Sequence, residues 1–131
     1  SLILGGVFNS GILINPSPNS YFDYAKLDEN WFENLTNSLV RIPKDFESAQ
    51  YWLNKAYKIR DLCDHYEISL KKAAIQFPYA NEIVSTVILG MASQLEVEEN
   101  YADYVAKITP NFWKKLKAKN LIDPKAPIIS E

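Results

Sequence analysis

Cysteine and histidine are scarce in this sequence, which contains one residue of each kind among 131. A single cysteine leaves no intrachain disulfide, so the small secreted domains that depend on disulfide bonds are excluded. One cysteine and one histidine also fall short of the four ligands that a structural zinc ion takes. We therefore predict no metal site, and we interpret Cys63 as a thiol of the hydrophobic core.

The sequence also has no excess of positive charge, because it contains 14 basic and 16 acidic residues and its net charge is −2. Binding to nucleic acid or to an anionic membrane usually needs a basic protein surface. No apolar run approaches the roughly 20 residues of a membrane-spanning helix, and no signal segment is recognisable. These absences predict a cytoplasmic protein that has neither nucleic acid nor a membrane as its partner.

The sequence does contain the composition of a globular domain, with 47% hydrophobic and 13% aromatic residues. Its length of 131 residues is ordinary for one domain,. A complete (β/α)8 barrel takes about 250 residues. The chain is therefore too short to form such a barrel by itself.

Two apolar segments predict buried strands. Residues 2–8 and 84–89 are apolar without alternation, which is typical of strands that a parallel sheet covers on both faces,. A long helical stretch separates them, so the pair forms a βαβ unit with parallel strands. Two strands alone leave one unpaired edge on each side. The predicted fold class is α/β, and the sheet is expected to be a piece of a larger one.

Apolar residues spaced by three and four positions predict the helices. Ser69 and Ser93 are expected to cap two of them, and Glu96 completes a capping box with Ser93. Pro110 occupies the first position of the last helix. The predicted helices span residues 45–66, 69–77, 93–106 and 110–121; a variable loop spans 15–44, where one short helix would bring the total to five, and a tail spans 123–131.

The ends of the two strands are the natural place for a ligand, because α/β folds bind ligands at the carboxyl ends of parallel strands. Small and flexible residues follow the first strand at positions 8–11, where we expect exposed backbone amides. The second strand runs through residues 90–93 into a helix N-terminus, which favours an anion. A phosphate-containing ligand fits both ends, although neither a Gly-x-Gly-x-x-Gly nor a Walker motif is present.

Three segments resemble the aldo/keto reductase family, especially the branch of L-fucose, galactose and D-threo-aldose 1-dehydrogenases. Residues 6–13 (GVFNSGIL) resemble the end of the family's seventh barrel strand. Residues 69–77 (SLKKAAIQF) resemble the following helix, and residues 87–100 (VILGMASQLEVEEN) resemble the eighth strand with its cofactor segment. The order and spacing imply the C-terminal part of a (β/α)8 TIM barrel, with strands seven and eight, over residues 1–131.

The resemblance implies binding of NAD or NADP once the barrel is completed. The end of strand seven would lie beside the pyrophosphate, and the residues after strand eight would surround the ribose and the adenine. The implied cofactor-binding residues are Gly6, Val7, Phe8, Asn9, Ser10, Gly90, Met91, Ala92, Ser93, Glu96, Glu99 and Asn100.

Departures from the family pattern bear on the cofactor and on catalysis. Gly90 and Glu96 stand where NADP-specific members often place lysine and arginine, and a carboxylate repels a 2′-phosphate. The resemblance therefore favours NAD. The longer loop over residues 15–44 gives no transferable substrate contacts. The family's catalytic Asp, Tyr, Lys and His belong to earlier strands, so no catalytic residue is assigned here.

Two hypotheses about function remain open at this stage. In the first, the chain is the cofactor-binding segment of an NAD(P)-dependent oxidoreductase that acts on an aldose or related carbonyl compound, and it is inactive without the rest of the barrel. In the second, it is a truncated, non-enzymatic protein that forms homo-oligomers through its exposed strand edges. A separate polypeptide that supplies the missing barrel strands is a variant of the first hypothesis.

Overall fold

The computed structural model describes residues 1–9, 11–17 and 46–130. Ser10 and almost all of the predicted loop over residues 15–44 lie outside these ranges. The described elements follow in the order β1 (Leu2–Leu4), α1 (Phe46–His65), α2 (Leu70–Gln76), a short 3-10 helix (Phe77–Ala80), β2 (Val84–Val87), α3 (Gln94–Val105) and α4 (Pro110–Ala118).

β1 and β2 form a two-stranded parallel sheet, which confirms the predicted parallel pair. Ile3 pairs with Thr86, and the register is irregular between Leu2 and Ile3. The amide of Ile88 donates to the carbonyl of Leu4 at 2.7 Å. Because the strands run in the same direction, their carboxyl ends lie at the same edge of the sheet.

The strands are shorter and more exposed than the sequence predicts. β1 ends at Leu4 rather than at residue 8, and β2 ends at Val87 rather than at residue 89. The prediction of strands buried on both faces is wrong for the chain as described, since Ile3 is 65% exposed and Ile88 is 60% exposed. Burial on both faces requires neighbouring strands and helices, and the described residues do not supply them.

The helix starts agree with the predicted caps. The hydroxyl of Ser69 accepts a hydrogen bond from the amide of Lys72 at 3.0 Å, and Ser93 accepts one from the amide of Glu96 at 3.2 Å. Pro110 opens α4, although the side chain of Thr109 makes no capping hydrogen bond. Local hydrogen bonding at the first turn thus decides where these helices begin.

Two helices end in the same way, by a Schellman motif. At the end of α1, Glu67 has a φ of 54°, and the amide of Ile68 donates to the carbonyl of Cys63 at 2.9 Å. At the end of α4, Asn120 has a φ of 54°, and the amide of Leu121 donates to the carbonyl of Leu116 at 2.9 Å. This reversal ends α4 at Ala118 rather than at residue 121, because it returns Leu121 to the core,.

Replacing Glu67 by glycine is expected to raise the free energy of unfolding by about 0.5 to 1 kcal/mol, because a side chain at positive φ is strained. Asn120→Gly is expected to raise the free energy of unfolding by a smaller amount, since asparagine tolerates this conformation. Urea denaturation followed by circular dichroism measures both effects. Glu67→Ala is the matched control: a gain as large as that of Glu67→Gly would show that the glutamate side chain, and not the backbone, causes the strain.

The main core lies where α1, α2 and α4 meet. Phe112 and Trp113 of α4 are fully buried, and their ring centroids are 5.0 Å apart in an edge-to-face arrangement. Cys63 of α1 belongs to the same core, as predicted, and burial together with the nearby charge of Asp64 raises the pKa of its thiol to about 12. This thiol is a packing group, because it stays protonated and inaccessible.

α2 and α3 are joined by a buried glutamine. Gln76 is 7% exposed, and its Nε2 donates to the carbonyl of Asp103 at 2.6 Å and to that of Ala106 at 2.7 Å. These acceptors lie at the C-terminal end of α3, where carbonyl groups lack partners within the helix. Gln76 therefore fixes the end of α3 against α2.

Candidate functional site

The end of β1 is a tight turn. The amide of Asn9 donates to the carbonyl of Gly6 at 2.8 Å, and both residues have positive φ. The amides of Gly11 and Leu13 donate to the carbonyl of Phe8. The expectation of freely exposed amides is therefore wrong at Asn9 and Gly11. The amides of Val7 and Phe8 make no hydrogen bond within the described part of the chain.

The end of β2 leads into the N-terminus of α3, as the sequence predicts. Gly90, Met91 and Ala92 form an exposed segment before the cap Ser93. The Oε2 atom of Glu96 accepts a hydrogen bond from the amide of Ala92 at 2.6 Å. Glu96 thus caps the start of α3, but at the amide of Ala92 rather than at that of Ser93, which a capping box uses,. Its negative charge lies at the helix N-terminus, where an anion is favoured.

Glu99 takes part in an ion-pair network on the surface between α2 and α3. The Nζ atom of Lys71 lies 3.3 Å from Oε2 of Glu99 and 3.3 Å from a carboxylate oxygen of Asp103. The side chains of Lys71 and Asp103 are mostly buried, whereas the side chain of Glu99 is about half exposed. The network ties α3 to α2 along its length, and Glu99 has a structural partner already.

Asn100 is the one predicted site residue that is buried among the described ones, with 8% exposure. Its side chain makes no hydrogen bond within the described ranges. It lies in a groove of about 290 Å³ between the end of β2 and one side of α3, named here the Asn100 groove. Its lining includes Tyr79, Leu89, Met91, Asn100, Tyr101 and Tyr104.

The Asn100 groove offers flat apolar walls around one carboxamide. The rings of Tyr79 and Tyr104 have centroids 5.3 Å apart, and the hydroxyl of Tyr79 accepts a hydrogen bond from the amide of Val87 at 3.1 Å. Tyrosine faces stack on planar rings, and a carboxamide both donates and accepts hydrogen bonds. The groove therefore fits a planar heterocycle that carries polar edge atoms.

The structure brings together only some of the predicted residues. Met91 and Asn100 line the Asn100 groove, whereas Asn9 lines a separate depression of about 570 Å³ beside α1 and the C-terminal tail. The tyrosines of the groove were not predicted as site residues. Tyr104 lies four positions after Asn100, so helical spacing gave a signal for it,. Tyr101 is adjacent to Asn100 and Tyr79 comes from another element, so spacing gave no signal for either.

The curated proteins to which the chain is similar are dehydrogenases. One is a pyridoxal 4-dehydrogenase of Microbacterium luteolum, with 29% identity over 123 residues, or 93% of this chain. Another is a D-threo-aldose 1-dehydrogenase of a Pseudomonas species, with 29% identity over 125 residues, or 92% of this chain. Both are aldo/keto reductase-type oxidoreductases, and the similarity covers their C-terminal part.

The chain spans less than a third of these relatives, namely 30% of the first and 31% of the second. No family model matches the chain, and no solved structure matches it. None of the helices in the described ranges has both the length and the apolar character that crossing a membrane requires.

Proposed function

We propose that this chain is the C-terminal, cofactor-binding segment of a nicotinamide-dependent oxidoreductase with a (β/α)8 barrel, over residues 1–131. Two observations support the barrel: the parallel strands have exposed apolar faces, and the dehydrogenase relatives are about three times as long as the chain. In this proposal β1 and β2 are the last two strands, and earlier strands cover their free edges.

The carboxamide of Asn100, which borders the Asn100 groove, carries the proposal. It makes no hydrogen bond within the described residues, so it can donate to and accept from a ligand that enters the groove,. The adenine of the cofactor fits, because its edge offers both donors and acceptors and its ring can stack on the tyrosines of the Asn100 groove. Met91 lines the same groove and would pack against this ring.

The remaining predicted residues would hold the rest of the cofactor. Gly90, Ala92 and Ser93 border the N-terminus of α3, where the adenosine ribose would lie. The pyrophosphate would lie at the end of β1, where the amides of Val7 and Phe8 are free within the described part of the chain. As the resemblance implies, we propose Gly6, Asn9 and Ser10 beside the pyrophosphate and Glu99 beside the adenine.

Glu96 favours NAD over NADP in this proposal. Its carboxylate lies at the N-terminus of α3, where it accepts the amide of Ala92. A 2′-phosphate near this carboxylate meets repulsion, whereas a free 2′-hydroxyl can donate a hydrogen bond to it.

The reaction of the complete enzyme is the exchange of a hydride between the nicotinamide and a carbonyl compound. The names of the two relatives refer to pyridoxal and to a D-threo-aldose, both of which carry an aldehyde group, and we propose an aldose or a related carbonyl compound as substrate. The proton transfer belongs to residues outside this chain. The isolated chain is therefore expected to bind the adenosine part without turnover, and we propose the cytoplasm as its location.

The test is a titration of the isotope-labelled chain with 5′-AMP, followed by nuclear magnetic resonance. We expect shifts at residues 91–104, and we expect Asn100→Ala to weaken binding by roughly tenfold, since about 1.4 kcal/mol is lost with the carboxamide. Adenosine 2′,5′-bisphosphate is expected to bind more weakly than 5′-AMP. Asn54→Ala, which removes an exposed carboxamide of α1, is the control and should leave affinity unchanged.

A chain that does not bind 5′-AMP, or that binds it equally well after Asn100→Ala, would contradict the proposal. The second candidate, homo-oligomerisation through the strand edges, is supported by the exposure of Leu2, Ile3 and Ile88. Sedimentation of the same sample separates the two: self-association without nucleotide binding supports the second candidate, and a stable monomer contradicts it.

A further inference from the structure

A second cleft, of about 630 Å³, lies between α1 and α4 and shares no lining residue with the Asn100 groove. Its floor is formed by Leu62 and Leu121, two buried core residues. Three lysines and a histidine surround this floor, together with one acidic side chain. They are Lys58, His65, Lys115, Lys119 and Asp61.

The lysines of this cleft are not neutralised within the described part of the chain. Lys58, Lys115 and Lys119 form none of its ion pairs. Asp61, the acidic residue of the lining, lies 3.4 Å from the guanidinium of Arg60 in an exposed ion pair. Several positive side chains around one cleft raise the local concentration of anions there.

The positive charge is concentrated locally. Residues 107–125 contain six lysines and one aspartate, although the whole chain has a net charge of −2. Lysines near the end of a helix can serve the helix itself by compensating its terminal carbonyls. In α4 those carbonyls already accept backbone amides from Lys119, Asn120 and Leu121, and Lys58 comes from the middle of α1. Hydrogen bonding to those carbonyls therefore does not account for the lysines, although Lys115 and His65 lie in the last turns of their helices, where a cation is favoured,.

The size of the cleft selects the kind of anion. Sites for small molecules have volumes of about 300 to 1,000 Å³, and a largely apolar floor suits the carbon skeleton of an organic ligand. Lysine binds phosphate as a point charge. We propose that the cleft between α1 and α4 binds a small organic phosphate, at a place distinct from the proposed cofactor site.

The test compares two double variants of the 131-residue chain that lose the same charge. Lys115→Gln with Lys119→Gln removes two lysines of the cleft, whereas Lys114→Gln with Lys117→Gln removes two lysines of the same helix segment outside its lining. The probes are fructose 1,6-bisphosphate and inorganic pyrophosphate, with uncharged fructose as the blank. Isothermal titration and amide chemical shifts are measured at about 0.15 M salt, after thermal unfolding has shown equal stability of the three proteins.

We expect fructose 1,6-bisphosphate to shift the amides around residues 58–65 and 115–121, and the cleft variant to bind it at least roughly tenfold more weakly. The control variant should change affinity by less than about threefold, since Lys114 and Lys117 do not line the cleft and charges outside it are largely screened at this salt concentration,. Absence of binding at millimolar probe, equal losses in both variants, or shifts confined to residues 90–100 would each overturn the proposal. If pyrophosphate binds and fructose 1,6-bisphosphate does not, the proposal that the ligand is an organic molecule is overturned.

Discussion

Replacing Phe112 by alanine is expected to lower the free energy of unfolding by about 3 to 5 kcal/mol, because it leaves a large cavity in the core. The side chain is 0% exposed, and its ring lies edge-to-face against Tyr66 at 5.6 Å and against Trp113 at 5.0 Å. A domain of this size has a total stability of about 5 to 15 kcal/mol. The loss therefore removes a large fraction of what holds α1 and α4 together.

Urea denaturation of the variant beside the parent chain measures this loss. Tyr101→Ala serves as a control, because this aromatic side chain is 66% exposed and its removal should change stability by less than about 0.5 kcal/mol,. Equal effects of the two substitutions would contradict the position of the core between α1 and α4.

Gln76→Glu is the second substitution with a large expected effect. The change keeps the shape of the side chain but replaces the donating amide, which bonds the carbonyls of Asp103 and Ala106, by an acceptor. A buried charge without a partner costs about 3 to 5 kcal/mol. Gln76→Leu, which removes the donor without adding a charge, is expected to cost about 1 to 3 kcal/mol.

The loss in Gln76→Glu depends on pH in a definite direction. Burial and the two facing carbonyl oxygens raise the pKa of the introduced carboxyl above the value of about 4.3 that it has in the unfolded chain. The folded state therefore binds its proton more tightly than the unfolded state does. The variant keeps most of its stability below about pH 4 and loses it as the pH rises through the folded-state pKa.

Chemical denaturation between acidic and neutral pH follows this loss, with Gln50→Glu as the matched control. Gln50 is exposed and bonds the side chain of Asn54. The free energy of unfolding of Gln50→Glu should therefore differ from that of the parent chain by an amount that does not change with pH. A difference for Gln76→Glu that does not grow with pH would show that Gln76 does not bridge α2 and α3 in solution.

The exposed strand faces connect the fold with the proposed function. The sequence pattern of residues 2–8 and 84–89 is that of strands buried on both faces, yet Ile3 and Ile88 are mostly exposed in the described chain. An apolar run without alternation is typical of strands that other strands and helices cover on both faces. The proposed barrel and the alternative homo-oligomer both supply such surroundings, and they differ in whether Asn100 has a ligand.

Local sequence was sufficient to predict the helices and their starts. Ser69, Ser93 and Glu96 act within one turn of their own positions, so their hydrogen bonds follow from spacing alone,. The end of α4 was predicted too late, because the reversal at Asn120 is stabilised by the packing of Leu121 against the core. Apolar spacing identifies the face of a helix but not the residue at which the chain turns back.

Local sequence also predicted one part of the candidate site, and tertiary packing decided the other part. The resemblance pointed to the segments after both strands, but local sequence does not distinguish Asn100, which is buried, from Glu99, which pairs with Lys71. Spacing along α3 cannot show which side faces α2, since that depends on residues about 28 positions earlier in the chain.

The sequence by itself determined the α/β class, the parallel strand pair and the helix caps of this protein, because each follows from local hydrogen bonding or from the length of the connection. The tertiary structure decided which groups meet: Gln76 with the end of α3, Tyr79 with the Asn100 groove, and Lys58 with the lysines of α4. Such contacts join residues far apart in the chain, and only the packing of the helices around a shared core fixes their distances.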